Sequence, residues 1–412
     1  MSDQNITIHE FTNGLTLVTE AMLDVQSAAF SMLVPGGAIF DPDGGNGTAA
    51  ILSDLITRGA GDRDSRRLSE SLDNLGLQRH ESVGSVHLSF SGATVAENLS
   101  EALRIYADVI RRPRLPADQF EAARAGVEQS LRAIEDEPRQ KIMQRLRRHC
   151  YPDPWGRSVD GSLEELPAIT ADSVRHHYET CLRPNGAILG VAGRIDAAAI
   201  TDLVGDLFGD WERQPERNVA DGPQGESRSH IEHDSTQTHI GLAFPTVVYS
   251  DPDYYAAWAA VSLLSGGMSA RLFTEVREKR GLCYAISASL HALKEHARVL
   301  GYAGTTNERA QHTLDAMLLS ILWLANGIAD DELKRCKARA KSSLIMQQES
   351  TIARAGAVAR DWFHLGRVTT LDEVREKIEA LTVDSVLAYV HAHPPRELTI
   401  LTIGPKPLEV PR

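Results

Sequence analysis

Arg277 and Tyr284 lie seven residues apart in REKRGLCY and are two side chains able to donate hydrogen bonds. If Arg277 closes a helix, Gly281 allows a left-handed exit and Tyr284 opens a strand, a guanidinium and a phenol can converge as donors on one carbonyl oxygen. A purely structural reading stands beside that one. An arginine near a helix C-terminus is favoured by the helix dipole, by about 0.3–1 kcal/mol, and tyrosine is common in half-buried strands.

The other reactive residues form no site. His230 and His233 lie three apart in HIEHD, beside a polar stretch where histidines are usually solvated. His291 and His296 in HALKEH are five apart, and on a helix that spacing points them about 140° away from each other. His176-His177 and the HAH at 391–393 are expected on a helix surface and in a loop before a strand. Cys150, Cys181, Cys283 and Cys336 are far apart, with no CxxC, so reduced, partly buried thiols are expected rather than a zinc knuckle or a disulfide framework. There is no Gly-x-Ser-x-Gly elbow, and SGGMS lacks the lysine of a phosphate-binding loop.

Composition narrows the partners. Lys and Arg number 43 against 56 Asp and Glu, a net charge of -13, which opposes binding to nucleic acid or anionic membranes. The start, MSDQNITIHEFTNG, has neither a basic nor an apolar leader region, and no apolar run is long enough to span a bilayer, so a cytoplasmic setting with no membrane partner is expected.

The elements that must position Arg277 and Tyr284 come from a repeat. FDPDGGNGTAAILSDLITRGA (40–60) has a counterpart in SDPDYYAAWAAVSLLSGGMSA (250–270), an offset of 210. LPADQFEAARAGVEQSL (115–131) matches IADDELKRCKARAKSSL (328–344), with Ser130 opposite Ser343, and Pro184 falls opposite Pro395. The polar stretch 211–230 reads as a linker between an N-terminal half, 1–210, and a C-terminal half, 231–412. In the first half, Ile6, Ile8, Leu15 and Leu17 alternate around Thr12-Asn13-Gly14 as a hairpin, and AAFSMLV, SVHLSFSGA and NGAILGVAG read as strands. Helices are expected near 46–57, 65–75 and 95–111, with a long one over 117–149. The fold class that follows is α+β: two similar halves, each a largely antiparallel sheet covered by helices.

These segments resemble the pitrilysin and mitochondrial processing peptidase family, the inverted zincins, whose H-x-x-E-H signature lies on a helix after a strand and a turn. GGAIFDPDGGNGTAAILSDLITRGA fits that setting, with Gly47 and Gly59 at family positions; YPDPWGRSVDGSLEEL (151–166) and GGMSARLFTEVREKRGLCYAIS (266–287) extend the likeness over nearly the whole chain. Aligned by the glycines, the two histidine positions fall on Ala50 and Asp54, the glutamate on Ser53, and the third ligand, a glutamate of the long helix, at or near Ser130. One carboxylate remains of four required groups, so the metal positions are degenerate and no zinc is expected on this chain.

The resemblance assigns the retained pair a role. In the family an Arg and a Tyr at this spacing hold the substrate backbone and hydrogen-bond the scissile carbonyl, and Arg277 and Tyr284 match them. The first half offers Leu72 and Arg79 in those places, and its QRHES departs from the family pattern. What is implied is the non-metal-binding subunit of a heterodimeric zinc peptidase: a homologous H-x-x-E-H partner holds the zinc, this chain is inactive alone, and the two enclose a peptide substrate. The alternative is a non-catalytic scaffold or peptide-binding subunit resembling the core proteins of respiratory complexes.

Overall fold

The computed structural model describes residues 4–410. The alternating residues around Gly14, which turns at φ +87°, pair β1 (Asn5–Glu10) with β2 (Thr16–Ala21). There follow β3 (Ser27–Pro35), α1 (Thr48–Leu55), the short β4 (Gly59–Ala60) and β5 (Arg63–Asp64), α2 (Ser65–Asn74), β6 (Gln78–Val83), β7 (His87–Val95), α3 (Leu99–Arg111), α4 (Phe120–Asp136), α5 (Pro138–Cys150), α6 (Ala171–Cys181), β8 (Ile188–Gly193) and α7 (Ala197–Phe208). Beyond an irregular stretch come β9 (Arg228–Glu232), β10 (Gln237–Pro245), α8 (Tyr254–Ser265), a π-helix (Phe273–Glu278), β11 (Cys283–Ala292), β12 (Ala297–Thr306), α9 (Ala310–Leu322), α10 (Asp330–Gln348), α11 (Thr351–Leu365), α12 (Leu371–Ala380), α13 (Val383–Ala392) and β13 (Thr399–Gly404).

The architecture is α+β, as the sequence pattern implied. One sheet runs β1-β2-β8-β3-β7-β6 and the other β11-β12-β10-β13-β9. Each is antiparallel apart from one parallel pair, β2 with β8 and β13 with β9. The repeated segments form like elements: α1 and α8 follow the two Asp-Pro-Asp runs, α4 and α10 carry Ser130 and Ser343, and β8 and β13 follow the aligned prolines. A further repeat, unnoticed in the sequence, is the pair of capping boxes in which Thr170 and Ser173 start α6 while Thr382 and Ser385 start α13.

The long helix expected over 117–149 is two helices. Pro138 has no N–H to donate and disfavours helical backbone at the residue before it; Glu137 is accordingly extended, with φ -106° and ψ 93°. The break matters because the chain forms two compact units that do not follow sequence halves. One unit comprises the residues up to Arg132, Arg157–Ala220 and Met346–Thr370; the other comprises Ala133–Gly156, Asp221–Ile345 and the residues from Leu371 onward. Thus α5 belongs with the second sheet and α11 with the first.

In the first unit α11 packs on β8, β3 and β2. Small residues permit the close approach: Ala29, Ala192 and Ala355 cluster, and a Cβ at Gly190 would fall 2.2 Å from the Ala355 carbonyl oxygen. On the other face Phe30 meets Tyr106 of α3 edge-on at 4.9 Å. A buried ion pair pins α11 to β2, with Arg354 donating to Glu20 at 2.7 and 2.8 Å and the side chains 4% and 5% exposed. Removing one partner leaves a buried charge, so Arg354→Ala is expected to cost about 3–5 kcal/mol in urea unfolding. A loss below about 1 kcal/mol would show that water replaces the guanidinium.

The second unit shows the strand period plainly. Ile240, Leu242 and Phe244 of β10 enter the core built with α8, α9 and α13, while Gly241 and Ala243 face Ile142 and Leu146 of α5. Among the described residues, no single helix is long and apolar enough to cross a membrane.

Candidate functional site

The first unit holds an open cleft of about 750 Å³ between α1, α4 and β6. Its lining includes Ala50, Ser53, Asp54 and Ser130, the four positions that the glycine spacing sets against the family signature and third ligand, and a Cβ on Gly126, one turn before Ser130, would lie 3.8 Å from Asp54 Oδ2.

The start of α1 is fixed by Asp41, of the first Asp-Pro-Asp. Its buried carboxylate accepts from Gly47 N and Ala49 N at 2.8 Å each and from Asn46 Nδ2 at 3.1 Å. Burial raises the Asp41 pKa, working against His177, 4.0 Å away, and these N–H donors. His177 is therefore no surface residue: it is buried and its Nε2 meets the Gly36 carbonyl at 2.9 Å. Gly47, at φ +121°, lies against Gly161, whose Cβ would come within 2.8 Å of its Cα. Here glycine is required both for backbone angle and for room.

The residues lining the cleft have their own partners. Asp54 is paired with Arg58, one turn along the same helix. Glu81 accepts from Arg79 at 3.2 Å and from the Tyr106 hydroxyl. Ser130 donates back to the Gly126 carbonyl at 3.1 Å.

In the second unit, Arg277 lies in the last turn of the π-helix, a form that recurs at functional sites. Leu282 N returns to the Val276 carbonyl at 3.0 Å, and Gly281 takes φ +60°. Tyr284 is the second residue of β11 and sits at an irregularity: Cys283 pairs with Thr305 but Ala285 with Gly304, so Tyr284 is an extra residue. Such a bulge re-aims a side chain. Tyr284 is 46% exposed and its hydroxyl donates to Gln237 Oε1 at 2.6 Å. Arg277 is exposed with its guanidinium 4.7 Å from the Phe273 ring centre. The two side chains thus share a surface segment but hold separate partners. Gln237 was missed in the sequence, since only the register of β10 and β11 on either side of β12 brings its side chain to Tyr284.

The other histidines take structural places. HALKEH is the turn of the β11–β12 hairpin rather than helix, and His291 Nδ1 meets the buried Tyr151 hydroxyl at 2.8 Å. Burial, with the Arg147 charge, lowers the His291 pKa to about 4 from 6.5. The folded form thus holds His291 neutral while the unfolded chain takes up a proton, so stability is intact above pH 6.5 and falls as pH drops toward 4. The loss should approach ~3 kcal/mol, and urea unfolding at pH 7 and pH 4.5 should show a steeper decline for wild type than for His291→Gln. Equal declines would assign the pH dependence elsewhere. His230 lies on β9 with Nδ1 2.8 Å from Thr402 Oγ1, and His391 lies on α13. Cys150, Cys181 and Cys283 are buried and Cys336 is half-buried, all as free thiols.

Residues 16–161 match the model for insulinase (peptidase family M16), and residues 168–340 match that for the peptidase M16 inactive domain. The chain belongs to peptidase family M16. An uncharacterized zinc protease of Rickettsia felis is 23% identical over 407 residues, covering 98% of this chain and 99% of that protein. One from Bacillus subtilis is 24% identical over 377 residues, covering 91% and 92%. Among solved structures, a peptidase M16 inactive domain from Pseudomonas fluorescens superposes with a TM-score of 0.90 at 20% identity over 99% of each chain. A protease from Helicobacter pylori gives 0.88 at 19% identity, over 98% of this chain and 100% of that one. These two likenesses establish the shared fold.

The M16 family uses zinc, but the residues of this M16 chain do not fit the ion. Zn²⁺ needs imidazole, thiolate or carboxylate ligands, and of the four aligned positions only Asp54 has one. That carboxylate is engaged by Arg58, whose positive charge also opposes a divalent cation. Among the described residues no group of three or more His, Cys, Asp and Glu is arranged to hold a metal.

Proposed function

We propose that this chain is the non-metal-binding subunit of a heterodimeric zinc metallopeptidase of the cytoplasm, paired with a homologous H-x-x-E-H subunit. It supplies Arg277 and Tyr284 to the partner's active site and forms half of a peptide-enclosing chamber. The observation that carries the reading is an asymmetry within one chain. In the first unit Ala50, Ser53, Asp54 and Ser130 line a cleft with a single ligand-type side chain among them, whereas the second unit presents an exposed guanidinium and a bulge-aimed phenol on one surface segment.

Chemically, this chain contributes donors only. The Tyr284 O–H leaves Gln237 to bond the scissile carbonyl, whose oxygen gains charge as it is attacked, and Arg277 bonds the substrate backbone and fixes its register. The partner would hold the zinc and supply the attacking group. Peptidase activity should therefore be low for either chain alone and high for the mixture. Full activity from the H-x-x-E-H chain by itself would end the proposal.

A second reading is a non-catalytic scaffold or peptide-binding subunit. It draws on the internal partners of the pair, Phe273 for Arg277 and Gln237 for Tyr284, and on the cleft that persists without ligands. Unchanged turnover of a complex carrying Tyr284→Phe would favour it.

A further inference from the structure

The repeat that sets Ser130 opposite Ser343 also gives the second unit a cavity of its own, of about 280 Å³, between α8 and α10. Leu263 and Gly267 in its lining stand 210 residues after Ser53 and Thr57 of the first cleft. Arg339, Ala340 and Ser343 stand 213 residues after Gly126, Val127 and Ser130, which line that cleft too. The same place in the repeated fold is therefore hollow in both units, but its furnishing differs. Where Gly126 puts no side chain toward the first cleft, the second cavity has the guanidinium of Arg339.

The other charges at this cavity are already paired. Glu332 accepts from Arg271 at 2.7 and 2.8 Å and from Ala329 N at 2.9 Å, and Arg335 is bound to Asp331, one turn back on α10. Arg339 alone of these has no hydrogen-bond or ion-pair partner among the described residues. A Cβ on Gly266 or Gly267 would come within 3.2 and 3.1 Å of its Nη1, so the glycine pair leaves the room that the guanidinium takes. The dipole of α8, which ends at Ser265, favours a cation there. That accounts for the position of the charge but leaves its N–H donors unspent. Ser269 adds a hydroxyl, and Trp258, Leu263, Ala270 and Ala340 supply apolar wall.

We propose that the cavity between α8 and α10 binds a small organic carboxylate, with its two oxygens on the Arg339 fork and a short apolar group against Trp258 and Leu263. A planar carboxylate matches the two parallel N–H donors of a guanidinium, and the apolar wall selects an acid that carries a hydrocarbon group over a bare inorganic anion. The C-terminus of a peptide and a free branched acid share this chemistry. The site does not depend on the role given to Arg277 and Tyr284.

The test uses this chain alone, with N-acetyl-leucine as the probe. The indole N–H resonance of Trp258, identified by its absence in Trp258→Phe, should shift saturably on titration, with a Kd on the order of 1 mM. In Arg339→Gln, checked to unfold in urea like wild type, the Kd should rise about tenfold or more, and in Arg339→Lys, which keeps the charge but loses the fork, by less. N-acetyl-leucinamide, which lacks the charge, should leave the resonance in place. Isocaproate separates the two sources of the carboxylate. Weaker binding than N-acetyl-leucine assigns the site to a peptide C-terminus, and equal or tighter binding assigns it to a free acid. An unmoved Trp258 resonance, equal binding of the amide, or an unchanged Kd in Arg339→Gln overturns the inference.

Discussion

Ala50→His, Ser53→Glu, Asp54→His and Ser130→Glu, combined with Arg58→Ala, are expected to turn this chain into one that binds a single Zn²⁺. The backbone frame is in place: Asp41 fixes the start of α1, positions 50 and 54 lie one turn apart on it, and α1 and α4 face the same cleft. Two imidazoles four residues apart share one helix face, and a carboxylate from α4 supplies a third ligand. Arg58→Ala is included because the guanidinium loses its partner when Asp54 is replaced and would face the ion. Titration should give a Kd at or below about 1 μM, equivalent to about 8 kcal/mol. Zinc at a hundredfold excess over that Kd should then stabilise the variant by about 2.7 kcal/mol and leave wild type unmoved. Absence of binding in a variant that unfolds like wild type would mean that the cleft between α1 and α4 no longer has the metal geometry.

Tyr284→Phe in the assembled pair is expected to lower kcat about 100-fold or more with little change in KM. Loss of one donor aimed at a developing oxyanion costs 10²–10³ in rate, roughly 2.7–4 kcal/mol, and a donor that acts only in the transition state leaves substrate affinity alone. The phenyl ring keeps its place beside Gly304, so the fold is preserved while the hydroxyl is lost. Comparison with Arg277→Ala separates the two roles. In the proposed role the arginine would hold the backbone in ground and transition states alike, and its loss should appear chiefly as a raised KM. Equal effects of both changes on KM alone would make Tyr284 a binding residue.

Much of the fold was legible because it rests on periodicity and punctuation. The hairpin around Gly14, the strands β3, β7 and β8 and the repeat of α1 in α8 follow from alternation, from glycine and from Asp-Pro-Asp. Pro138 could have been read as a helix break, but continuous helical periodicity and mixed charge on both sides obscured it. HALKEH misleads because its spacing carries meaning only on a helix, whereas β11 and β12 bring His291 into a hairpin against Tyr151. The candidate residues were legible by type and position; their surroundings were not. That Tyr284 is a bulge residue, that Gln237 accepts its hydrogen bond and that Arg58 takes up Asp54 depend on register and rotamer, which one-dimensional spacing does not carry.

The division of labour between two chains is tested most directly by counting zinc. Metal analysis of the co-purified complex with the H-x-x-E-H chain, beside this chain purified alone, should return one zinc per pair and none for this chain. An equimolar, tightly held ion in the isolated chain, beside Asp54, would contradict the account.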